Sequence, residues 1–145
     1  MKRFRFGLQK ILELREHAEK EAEIELGKAV GALTLIEQRI AQVAADRSEA
    51  AAQRFAPGNG LAEIQSYERY ILRLDHTRDT LLMDAARAEL VVAEKRDIYL
   101  EAARDRKALD KIKERRQGEY RKLFLADENK ELDDVAARMR RTRRT

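Results

Sequence analysis

The chain has 145 residues, 40% of them charged and 6% aromatic, with no cysteine or tryptophan and a formal net charge of +4. Alanine, leucine, glutamate, lysine and arginine dominate, a composition of long helices or coiled coils rather than of a compact globular core. The missing cysteine excludes disulfides and thiol chemistry, and no apolar run approaches the roughly 20 residues of a membrane helix.

The N-terminal stretch "MKRFRFGLQKILELRE" is basic, but charges interrupt it before a secretory apolar segment forms. A cytoplasmic protein is expected. From about Phe4 to Phe55, apolar residues recur at steps of three and four, which predicts a helix roughly 75–80 Å long. Phe4, Leu8, Ile11, Ala18 and Ala22 start its seam, interrupted by Arg15, and Leu26, Ala29, Leu33, Ile36, Ile40 and Val43 continue it. Two successive steps of four at Ala18–Ala22–Leu26 predict a stutter in the supercoil. Gly27 and Gly31 fall off this seam. They read either as small residues on an exposed face or as a strip that a partner approaches closely.

Residues 56–60 hold the only proline and two of the six glycines. Pro57 cannot donate a backbone hydrogen bond, and Gly58 and Gly60 can take left-handed dihedrals, which Asn59 also tolerates. The first helix therefore stops here and the chain folds back. A fold centred on Gly58 sets residue i opposite about 116 − i in an antiparallel pair.

From about residue 61 to 140, a second helix keeps one heptad register through Ile64, Tyr67, Ile71, Leu74, Leu81, Ala85, Ala88, Val92, Tyr99, Ala102 and Leu109. Arg78, Lys95 and Arg106 intrude and are expected to reach out of the seam along their aliphatic stems. The expected fold is all-α, a single domain over residues 1–145: a long two-helix antiparallel coiled-coil hairpin with helix 2 the longer. Helix 1 would run out near Ile112, so about 25 residues of helix 2, roughly 40 Å, would overhang its terminus. Gly118 lies at the start of that overhang and reads as a tolerated helical glycine or a bend.

Such a hairpin offers no desolvated pocket for catalysis. His17 and His76 are separated by roughly 35 Å on this register and read as surface histidines that share neither a proton nor a metal. "GNG" lacks the Lys-Ser/Thr of a phosphate loop, and neither HExxH nor CxxC occurs. No enzyme activity, cofactor, metal or small-molecule substrate is expected. Leu72, His76, Asp79, Met83, Ala86, Leu90 and Ala93 occupy outward heptad positions that are normally polar, and Leu35, Gln38, Gln42 and Ala45 lie on the outer side of helix 1. They read as scattered surface residues or as a stripe that binds a partner.

The chain ends are basic. Lys2, Arg3 and Arg5 precede helix 1, and Arg138, Arg140, Arg141, Arg143 and Arg144 mark a tail over residues 138–145; without these eight charges the net +4 becomes about −4. Nucleic acid, an acidic protein surface and simple solubility are all compatible with that end. No aromatics interleave with the arginines for base stacking, so nucleic acid is the weaker reading.

"FRFGLQKILELREHAEKEAEIELGKA" resembles the opening of the flagellar FliJ proteins, with Phe4, Phe6, Leu8, Gln9, Leu12, Leu14, Arg15, Glu16, Glu19 and Ala22 at pattern positions. "GNGLAEIQSYERYILRL" resembles the family's turn and the aromatic run after it, at Tyr67, Tyr70, Ile71 and Leu74. "ERRQGEYRK" and "NKELDDVAARMRR" resemble its end, at Asn129, Lys130, Leu132, Asp133 and Ala136. The resemblance implies a component of the flagellar type III export apparatus, an antiparallel coiled coil similar to the central stalk of rotary ATPases. It implies three partners: the hexameric export ATPase, the cytosolic domain of the export-gate membrane protein, and export substrate chaperones. It further implies a gate-binding face near the turn on the outer sides of both helices. Gln38 and Leu72 match that face, while Met83 replaces a histidine and His76 an apolar residue; Gln42, Ala45, Glu49 and Asp79 depart from its more apolar pattern. Beside that inheritance, the overhang residues Tyr120, Leu123, Phe124, Leu132 and Val135, with Arg138, Arg140 and Arg141, are expected to engage the ATPase ring. The other readings are a basic-ended coiled coil that binds nucleic acid, and an inert spacer.

Overall fold

The computed structural model describes residues 2–144, as two helices: α1 (Gln9–Gln53) and α2 (Leu61–Thr142), with no strand among the described residues. The two helices pack against each other, α2 being the longer. Two compact units divide the chain, one formed by Lys20–Leu100, the other by Met1–Glu19 with Glu101–Thr145.

The Lys20–Leu100 unit is a local hairpin. Its core holds Ala22 and Ala50 from α1 with Ile71, Leu74, Leu81, Ala85 and Val92 from α2. Leu26, Ala29, Leu33, Ile36, Ile40 and Val43 are half-buried along the facing seam, as expected. The α1 ladder then continues through two residues that its apolar pattern does not show, Arg47 and Arg54. Arg47 Nε donates to Asp75 Oδ1 at 2.6 Å, and Arg54 Nη1 to Glu68 Oε1 at 3.3 Å. The Arg47 guanidinium holds the Asp75 carboxyl below the usual carboxylate range.

These two pairs correct the expected register: each partner lies about six positions further along α2 than a fold centred on Gly58 assigns. The physical reason is an unequal connection. Arg54 stands level with Glu68, so residues 55–60 must rise about 10 Å beside the first two turns of α2 before that helix begins.

The turn itself divides its work among three residues. Gly58 has φ +94°, the only positive φ among the described residues. Asn59 acts through its side chain, whose Nδ2 donates to the carbonyls of Gln53 (2.9 Å) and Arg54 (3.3 Å) and so satisfies the end of α1. Gly60, expected to need left-handed freedom, does not have it. Its N–H donates to Glu63 Oε2 at 2.9 Å, and its carbonyl accepts from Ile64, which is half of a capping box at the start of α2.

The second unit joins chain segments far apart in sequence. Its buried side chains are Phe6, Leu12 and Ala103, and Leu12, 2% exposed, is the most enclosed in the described chain. Helix α1 begins at Gln9 rather than near Phe4, so Phe6 packs from a non-helical lead-in with the Arg116 guanidinium 5.6 Å from its ring centre. Here the expected seam is wrong: Ile11 and Ala18 are exposed, and Leu12 and Glu19 face α2 instead. Arg106 binds both Glu19 and Asp110, and this pairing raises the guanidinium's affinity for its proton. A charged layer thus occupies seam positions, and the true seam runs in sevens, Leu12–Glu19–Leu26–Leu33–Ile40–Arg47–Arg54, with no stutter.

Lys113 Nζ donates to Gln9 Oε1 at 2.8 Å, and Arg15 pairs with Asp105 at 3.3 Å. Past them, the Tyr120 hydroxyl donates to the Lys2 carbonyl at 2.7 Å, with its ring centre 5.5 Å from that of Phe4. Packing on α2 therefore reaches Tyr120 rather than stopping near Ile112. From Arg121 to Arg144 every residue is exposed. Helix α2 continues unbroken across Gly118, where a Cβ would meet open space.

Candidate docking surfaces

The first surface is the overhang of α2. Its base is an open groove lined by Phe4, Gln117, Tyr120, Arg121, Phe124 and Leu125, with the Tyr120 and Phe124 rings stacked at 6.3 Å. Tyr120 is thus engaged by the lead-in to α1. Leu123, Phe124, Leu132 and Val135 are exposed, from 38% for Phe124 to 67% for Leu132, and so are Arg138, Arg140 and Arg141. The sequence reading missed Leu125 and Met139, which are exposed seven residues on either side of Leu132. That seven-residue spacing was the available signal.

The second surface belongs to the Lys20–Leu100 unit. Leu72, Met83 and Leu90 are between 60 and 73% exposed, and Gln38 and His76 are exposed too. The corrected register sets Gln38 level with Met83 and Asp84, and Leu72 level with Ala50, roughly 18 Å away along the helices. Gln38 and Met83 therefore stand at about one level, while Leu72 lies well away from them with His76 between. Phe55 and Leu61, also missed, flank the turn with large exposed apolar side chains, and the Arg54 guanidinium lies 4.6 Å from the Phe55 ring centre.

The concavities are open grooves. One, lined by Asp46, Glu49, Ala50, Gln53, Tyr67 and Tyr70, lies beside the seam close to the turn. Among the described residues no group of three or more His, Cys, Asp or Glu is arranged to hold a metal ion, and no helix is long and apolar enough to cross a membrane.

Fold and surfaces together define an antiparallel two-helix coiled coil whose distinctive features are open, apolar strips on exposed helix faces. The chain belongs to the family of the flagellar FliJ protein, whose family model matches residues 4–145. It is accordingly a component of the flagellar export apparatus. No curated protein and no solved structure matches it significantly.

Proposed function

We propose that the chain is a non-enzymatic stalk and adaptor of flagellar protein export, cytoplasmic and held at the inner membrane at the flagellar base by its partners. The α2 overhang engages the hexameric export ATPase, the outer sides of both helices near the turn engage the cytosolic domain of the export gate, and the chain escorts substrate chaperones. The observation that carries this reading is the exposed stretch of α2 beyond Tyr120, a single helix bearing large apolar side chains with nothing of α1 left to cover them. One helix, about 10–12 Å across, suits a narrow ring channel better than a pair does. Leu123, Phe124, Leu132 and Val135 supply the grip, Arg138, Arg140 and Arg141 the steering toward acidic ring residues, and Tyr120 the anchorage of the overhang's base. Gln38, Leu72, His76 and Met83 contribute to the gate contact.

Deleting residues 121–145 tests the assignment while keeping Tyr120 on Phe4. It is expected to abolish stimulation of the ATPase and leave gate-domain binding intact. In the converse arm, Leu72→Asp with Met83→Asp is expected to weaken gate-domain binding more than about tenfold with helicity unchanged, since apolar burial is lost and a charge desolvated. Full stimulation by the deletion variant, or unchanged gate affinity in the double variant, overturns the corresponding half.

A further inference from the structure

The α2 overhang carries a pattern that a grip on another protein does not explain. Over residues 127–144 its charges are segregated: Asp127, Glu128, Glu131, Asp133 and Asp134 precede Arg138, Arg140, Arg141, Arg143 and Arg144, with Lys130 the one exception in that stretch. Among the described residues no ion pair joins the acidic block to the basic one. Basic residues in the last turn do complement the helix dipole, but that effect fades within a turn and leaves an acidic block in mid-helix unexplained.

The apolar residues form a second pattern. Leu125, Leu132, Ala136 and Met139 recur at seven, four and three, so they share one face of the helix, and the three large ones are at least half exposed. This face is not a continuation of the seam. The seam positions run on from Tyr120 and Leu123 to Asp127, Lys130 and Asp134, which are charged, so the apolar stripe points well away from the side that packs on α1.

We propose that this stripe is an interface for a second copy of the same chain, the two overhangs pairing antiparallel about Val135 and Ala136. A two-fold contact must be self-complementary, and this one is. Reversal places Leu132 against the partner's Met139. Asp133 and Arg140, seven apart, border the stripe on one side, and Glu131 and Arg138, also seven apart, border it on the other. Antiparallel helices bring like borders together, so Asp133 meets the partner's Arg140 and Glu131 the partner's Arg138, each pair repeated by symmetry. A parallel pair would set acid against acid and base against base. The contact spans residues 127–144 and leaves Leu125 outside it; its helical part, residues 127–142, is about 24 Å long. That is shorter than most stable coiled coils, so the pair is weak and concentration-dependent. Pairing also covers Leu132 and Val135, so the paired form withholds those side chains from any other partner.

The test uses the full chain alone, so its outcome is independent of the ATPase assignment. Sedimentation equilibrium up to about 200 µM, in about 50 mM and about 500 mM salt, is expected to show the apparent mass doubling at low salt and falling back at high salt. Glu131→Arg with Asp133→Arg, and separately Arg138→Glu with Arg140→Glu, should each stay monomeric, while an equimolar mixture of the two variants pairs again. The chain has no cysteine, so Ala136→Cys is expected to form a disulfide-linked dimer under mild oxidation, and Asn129→Cys is not. A wild-type chain that stays monomeric in both salts, or reversed-charge variants that self-associate as the wild type does, overturns the proposal.

Discussion

The two compact units close by different means. Lys20–Leu100 packs seven buried apolar side chains between segments that the turn has already brought together, and its two cross-helix ion pairs join residues only 28 and 14 apart in sequence. The unit built from Met1–Glu19 and Glu101–Thr145 buries three, and fastens them with pairs separated by 87 to 118 residues. The first unit draws its stability from apolar burial. The second draws register from its charged and hydroxyl contacts, since a polar group at a seam position tolerates few partners. Few buried apolar side chains favour local opening, so the second unit should open first.

The sharpest way to break this contrast is to truncate one buried leucine in each unit. Leu12→Ala should cost about 2–4 kcal/mol, and amide hydrogen exchange should show lost protection confined to the unit around Leu12 and Ala103. Leu81→Ala should cost a similar amount but lower protection along the whole Lys20–Leu100 unit. Identical exchange maps for the two variants would remove the distinction.

A smaller effect separates the two turn glycines. Gly58→Val places a β-branched residue at φ +94° and should destabilise by about 1–2 kcal/mol in urea melts. Gly60→Ala has no such dihedral to strain, but its Cβ would stand 3.0 Å from Glu63 Oε2, the far end of a flexible side chain. It should cost less than Gly58→Val. Equal losses would mean that the turn depends on space rather than on backbone conformation.

The smallest effect is electrostatic. The Arg47 hydrogen bond lowers the Asp75 carboxyl below its ordinary value of about 3.9. Its contribution is therefore complete above that value and is lost as pH falls below it, through the carboxyl's lowered titration. Asp75→Asn should flatten the acid limb of the stability profile slightly and leave pH 7 to 9 without slope. A variant whose acid limb matches the wild type would show the pair to be ornamental.

Much of this molecule was legible before its structure. Every apolar position named for the α2 seam from Ile64 to Leu109 is buried or half-buried, because there apolar identity and seam position coincide. Where they part company, the reading failed. Ile11 and Ala18 offered greasier candidates than Leu12 followed by Glu19, and only the Arg106 ion pairs make a glutamate a seam residue. Arg47 and Arg54 hid the end of the α1 ladder in the same way, which moved the register by about six positions and with it the beginning of the overhang. A strict count in sevens, blind to polarity, would have found all four. The candidate surfaces were legible as exposed faces. Their layout was not, since the corrected register doubles the separation of Gln38 and Leu72 along the unit.

Asn59 ties the durability of the turn to chemistry as well as to conformation. Its amide nitrogen is the donor that two carbonyl oxygens share at the end of α1. An asparagine followed by glycine is the dipeptide most prone to lose that nitrogen as ammonia, and the product is a carboxylate. A carboxylate has no hydrogen to give, and it would set negative charge against the two oxygens that the amide had satisfied. The side chain that closes the hairpin is therefore also its ageing clock, slowed for as long as both carbonyls hold the amide in place.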